Sequence, residues 1–76
     1  MTPAHSLIFI VDDDRGLLRL MDKAVTRAGF RTDTALSGQE AIQWLSENRP
    51  TLMLLDLKLQ DIEGKELINH LAAINR

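Results

Sequence analysis

The sequence predicts an α/β fold of three strand–helix units, with three parallel strands in one open sheet. Three observations carry this. Two apolar runs, Leu7–Val11 and Leu52–Leu55, each end directly in aspartate. The segments between and after them repeat apolar residues at helical spacing, i, i+3, i+4, i+7. Strands that alternate with helices need crossover connections, and those are right-handed.

Leu7–Val11 (Leu-Ile-Phe-Ile-Val) is the first strand, favoured by β-branched Ile8, Ile10 and Val11. Residues 1–6 are expected to be a flexible lead-in. The first helix follows Asp14, a candidate N-cap, with Leu17, Leu20, Met21, Ala24, Val25 and Ala28 as its apolar set. Gly29 is placed to close it, since a residue just past a helix end often takes a left-handed conformation. Phe30–Ala35 alternates in part and carries threonine and acid, which suits an exposed edge strand.

Ser37-Gly38-Gln39-Glu40 spells a capping box, serine followed three residues later by glutamate. The second helix runs to about Asn48 with Ala41, Ile42, Trp44 and Leu45 inward. Arg49-Pro50 ends it, because the residue before proline avoids helical angles. Leu52–Asp56 is the third strand, read as buried on both faces because its apolar residues do not alternate. Lys65–Arg76, with Leu67, Ile68, Leu71, Ala72 and Ile74, is the third helix.

Composition excludes several classes. Hydrophobic content of 45% with 26% charged residues describes a globular chain. A net charge of −2 gives no basic footprint for direct nucleic-acid binding. Without cysteine there is neither a disulfide nor a thiolate metal site. No apolar run approaches the roughly 20 residues of a membrane span. A cytoplasmic protein with no membrane contact is expected. His5 and His70 lack partners at ligand spacing. Trp44, Met21 and Met53 read as packing residues.

The acids choose the strand order. With order 1-2-3, the strands that end in Asp12 and Asp56 would be separated. With order 2-1-3 they are neighbours at the switch point, where open α/β sheets bind ligands. Asp12, Asp13 and Asp56 then meet at one edge, while Asp14 and Asp61 read as capping or turn residues. Clustered carboxylates repel, so a proton or a hard cation is required. An all-oxygen donor set suits Mg²⁺. A reactive aspartate beside Mg²⁺ implies phosphoryl chemistry.

The residues Leu7-Ile8-Phe9-Ile10-Val11-Asp12-Asp13-Asp14, Ala28-Gly29-Phe30, Ala35–Ala41 and Pro50–Asp56 running on to Glu63-Gly64 resemble the N-terminal part of a response-regulator receiver domain. The likeness covers nearly all of residues 1–76 and implies a flavodoxin-like, doubly wound sheet, here as a partial (βα)₃ unit. It implies that Asp56 is the phosphoacceptor. Asp13 would ligate Mg²⁺ directly, Asp12 mainly through water, and the Lys58 backbone carbonyl would be a further ligand. The donor would be a histidine kinase, a phosphotransfer protein or a small phosphodonor, and any catalysis would be limited to the chain's own phosphorylation and dephosphorylation.

Gln60 and Glu63 depart from the usual proline and aspartate of the family. The family's later threonine or serine and its lysine have no counterpart in these residues; Lys23, Lys58 and Lys65 are poor substitutes. The chain is therefore expected to act as a truncated receiver domain. Two further expectations follow. The outer edge of the third strand would pair with a second copy, giving a homodimer, and a non-catalytic dimerising scaffold is the alternative function. A phosphohydrolase ranks last, because Lys58 stands where its general acid would be.

Overall fold

The computed structural model describes residues 6–56 together with Leu59, Glu66, Ile68 and Asn69. The elements are β1 (Leu7–Val11), α1 (Arg15–Arg27), β2 (Arg31–Ala35), α2 (Gly38–Glu47) and β3 (Leu52–Leu55). Glu66, Ile68 and Asn69 are helical. The rest of the third helix expected over 65–76 lies outside the described residues, as do residues 1–5 of the expected lead-in; its last residue, Ser6, is instead buried, and its carbonyl accepts the Arg31 N–H at 3.1 Å because it extends β1 toward β2.

The sheet has the order β2-β1-β3, all parallel. β1 is central. Leu7 to Val11 pair with Arg31 to Ala35 on one side, and Ile8 to Val11 pair with Leu52 to Leu55 on the other. Alternation along β1 then builds two half-cores. Ile8 and Ile10 pack with Leu18, Met21, Val25 and Leu54 on the α1 side. Phe9 and Val11 pack with Ala35, Ala41, Leu45 and Leu59 on the α2 side. Phe9, Ile10, Val11 and Leu45 are fully enclosed.

Both helices begin as the sequence indicates. The Asp14 side chain accepts from the Leu17 N–H at 3.1 Å, and Ser37 Oγ accepts from the Glu40 N–H at 3.1 Å. The returning Glu40 carboxylate takes the N–H of Leu36 at 3.0 Å, one residue ahead of the cap. At the other end of α1, Gly29 adopts φ 101°, where a side chain would be strained. Arg49 Nη1 donates to the carbonyls of Leu45 and Asn48 at 2.7 and 2.9 Å, satisfying acceptors that α2 leaves open.

Two expectations change. In α1 the sheet-facing stripe is Leu18, Met21 and Val25, whereas Leu17 and Leu20 are 45% and 67% exposed. Two i, i+3, i+4 stripes overlap on this helix. The position of the strands beneath it, which periodicity cannot supply, selects one. Likewise β1, not β3, is the strand enclosed on both faces. Leu52 is 54% exposed and the other β3 residues are half-buried, because β3 has a strand neighbour on one side alone among the described residues.

Candidate functional site

The carboxyl ends of β1 and β3 form the site. Pairing continues one step past each strand. The Asp12 N–H donates to the Ala35 carbonyl at 3.2 Å, and the Asp56 N–H donates to the Val11 carbonyl at 2.9 Å. These two bonds fix the backbones of Asp12 and Asp56 at the sheet's end. The register that sets Val11 beside Leu55 brings Asp56 level with Asp12.

Asp12 is 7% exposed, and Asp13 and Asp56 are half-buried. One carboxylate oxygen from each of Asp12, Asp13 and Asp56 can be chosen so that all three lie within 4.8 Å of one another. Asp12 Oδ1 accepts the Asp14 N–H at 2.9 Å, which holds that buried carboxylate in one orientation. Asp14 itself is engaged in capping α1 and so does not join the cluster. Beside the acids a cleft of about 360 Å³ opens, walled by Val11, Met21, Met53 and Leu55.

The structure thus brings together three of the residues singled out from the sequence. Lys58, the fourth proposed ligand, lies outside the described residues, as do Gln60, Asp61 and Glu63. Leu59, which the sequence reading passed over, is buried and joins the α2-side core. An apolar residue flanked by polar ones was its available signal. The Asp12–Asp14 bond was also missed. An aspartate two residues before a free N–H is the pattern of an Asx turn and could have indicated it.

Three acids in this space carry only oxygen donors, with no nitrogen or sulfur among them. Two are partly open to solvent, which leaves room for water. That donor set fits a hard divalent cation, Mg²⁺ above all, better than a transition metal.

Fold and site together define a doubly wound α/β domain with an acidic switch point. The response regulator receiver domain model matches residues 8–76, and the chain belongs to that family. It is 32% identical over 68 residues to sporulation initiation phosphotransferase F of Bacillus subtilis, across 90% of this chain and 55% of that protein. It is 31% identical over 68 residues to the transcriptional regulatory protein PrrA of Mycobacterium tuberculosis, across 90% of this chain and 29% of the regulator. Among solved structures, a CheY-like receiver domain protein from Methanospirillum hungatei superposes with a TM-score of 0.89 at 28% identity, over 92% of this chain and 56% of that one. The Thermotoga maritima regulator TrrA, solved with Mg²⁺ and BeF, gives 0.86 at 26% identity, over 91% and 60%. The chain therefore spans about half the length of the structures it matches.

The chain is thus a signalling receiver of the two-component class. No helix among the described residues is long and apolar enough to cross a membrane.

Proposed function

We propose that this chain accepts a phosphoryl group on Asp56, with Mg²⁺ held by Asp12, Asp13, Asp56 and the Lys58 backbone carbonyl. The observation that carries the reading is the convergence of the three carboxylates within 4.8 Å at the carboxyl end of the parallel sheet. Family membership and the Mg²⁺–BeF complex of TrrA support it.

The chain's residues divide the work. Asp56, one residue past the end of β3, supplies the attacking oxygen. A P–O bond forms at that oxygen as the donor's bond to phosphorus breaks, and the leaving group keeps the electron pair. Asp12 is pre-oriented by the Asp14 N–H and costs little reordering when a cation arrives. Asp13 is half-buried and contributes its carboxylate from the solvent side. The apolar wall of Met21, Met53 and Leu55 limits water around the acceptor. Bound Mg²⁺ neutralises charge on the phosphoryl oxygens.

The phosphoryl donor is a histidine kinase or a phosphotransfer protein, and the setting is the cytoplasm. Turnover is confined to the chain's own acyl phosphate. Incubation with acetyl phosphate and Mg²⁺, followed by intact mass, tests this. One added phosphoryl group is expected on the native chain, with none on Asp56→Asn or after chelation. Modification that persists in Asp56→Asn would remove the assignment.

A second copy is the proposed occupant of the outer edge of β3, which has no strand neighbour among the described residues and begins with exposed Leu52. Sedimentation that finds only monomer at micromolar concentration would eliminate it.

A further inference from the structure

Between α1 and β2 lies a cleft of about 230 Å³, on the β2 side of the sheet and apart from the cleft beside Asp56. Arg15, Leu18, Arg19 and Asp22 form one wall, at the i, i+3, i+4 and i+7 positions of a single helix face. Thr34 and Leu36 form the other. Register explains why threonine faces the helix here. Thr32 and Thr34 pair with Ile8 and Ile10, the β1 residues that pack on the α1 side. Two residues apart on a strand, they share that face.

The charges in this cleft are held apart. Arg19 and Asp22 stand three residues apart, a spacing at which ion pairs form along a helix. No pair forms between them. Asp22 Oδ1 instead accepts the hydroxyl of Thr26 at 3.2 Å and the hydroxyl of Thr32 on β2. Those two bonds fix the carboxylate at the end of the cleft nearest Thr32, and its Oδ2 has no partner among the described residues. The guanidiniums of Arg15 and Arg19 likewise have no hydrogen-bond or ion-pair partner among the described residues. The cleft thus has a cationic end and an anionic end. Leu18, buried, and Leu36, half-buried, add apolar surface to it.

We propose that this cleft binds a small apolar amino acid in its zwitterionic form. The ligand carboxylate takes charge-assisted N–H bonds from Arg15 and Arg19. Its ammonium donates to Asp22 Oδ2, and its side chain lies on Leu18 and Leu36. The Thr34 hydroxyl stands on the opposite wall as a further polar contact. A simple anion fits less well because Asp22 repels it, and a simple cation because two arginines do. Size sets the other limit. The volume equals that of about eight waters at roughly 30 Å³ each, and it lies below the roughly 300–1,000 Å³ of pockets for larger ligands. A nucleotide is therefore too large, whereas a free amino acid is of the right scale.

The test titrates L-leucine into the ¹⁵N-labelled chain, without phosphodonor or Mg²⁺. Two analogues each lack one charge: N-acetylleucine has no ammonium, and leucine methyl ester has no carboxylate. Leucine should bind with a Kd of about 1 mM or below, shifting the amide resonances of Arg19, Asp22, Thr34 and Leu36. Each analogue should bind about ten-fold more weakly. Arg15→Gln/Arg19→Gln should lose about ten-fold in leucine affinity. Asp22→Asn keeps an Oδ1 acceptor for the two threonines, and it should also lose about ten-fold for leucine while binding N-acetylleucine no more weakly than the native chain does. Retained amide dispersion shows that each variant is folded. No shift at these four amides with leucine at about ten times that Kd would overturn the proposal. So would N-acetylleucine binding as tightly as leucine, which marks an anion site only, or leucine affinity unchanged in Asp22→Asn. Phosphorylation of Asp56 plays no part in this measurement, so either reading can fail while the other stands.

Discussion

Replacing Asp13 by asparagine should stabilise the protein when no divalent cation is present and abolish most of its response to Mg²⁺. The three carboxylates lie within 4.8 Å of one another, and the substitution removes two of the three pairwise repulsions while keeping side-chain size. At that distance a pair of unit charges repels by about 3.5 kcal/mol at an effective dielectric of 20, and by about 0.9 kcal/mol in bulk water. Asp13 and Asp56 are only half-buried, so the aqueous end of that range applies more closely. Asp12 and Asp13 are also neighbours in the unfolded chain, which cancels part of their mutual term. A net gain of about 1–2 kcal/mol at low salt is expected for two lost repulsions on this scale. Urea unfolding followed by Trp44 fluorescence measures it. Trp44 is the only tryptophan and stacks on the enclosed ring of Phe9 with centroids 3.9 Å apart, so its emission reports loss of the core. Saturating Mg²⁺, at 100 times its Kd, should stabilise the native protein by about 2.7 kcal/mol and the variant far less. An Asp13→Asn protein no more stable than the parent in chelator, or equally stabilised by Mg²⁺, would refute the electrostatic reasoning.

Three other outcomes can be checked by the same unfolding measurement. Leu45→Ala should cost about 2–5 kcal/mol, since Leu45 is fully enclosed beneath α2 and its loss leaves a cavity. Asp14→Ala should cost about 0.5–2 kcal/mol through the lost cap on α1. Asp33→Ala should cost about 0.5–1.5 kcal/mol and shift Trp44 emission, because the Asp33 carboxylate accepts the indole N–H at 2.8 Å.

Much of the fold was legible because its signals are local. Ser37 and Glu40, Asp14, Gly29 and Pro50 each act within a few residues of themselves, and the helix bounds they mark hold to within a residue. The strand order was reachable for a different reason. Two acids placed at apolar strand ends make sense only if those strands are adjacent, so chemistry supplied what periodicity could not. Relations between elements escaped the reading. Leu17 and Leu20 have the spacing of core residues, yet the strands select Leu18 instead. The Trp44–Asp33 bond joins α2 to β2, and neither residue announces the other. The burial of Leu59 depends on where the α2-side core lies, a fact no window of sequence contains.

The two rungs beyond the strand ends, Asp12 to Ala35 and Asp56 to Val11, have a consequence for tolerance to change. A slip of one residue in β3 would move Asp56 about 3.3 Å along the sheet and turn its side chain to the other face. The acid cluster therefore exists only in the correctly registered fold, and a misfolded copy cannot act as a weak receiver. An extra residue in the connection around Asn48–Pro50 should be absorbed, whereas one inserted within Leu52–Leu55 should erase the site even if a sheet still forms. Folding proofreads the signal acceptor: a chain either has the whole constellation or none of it.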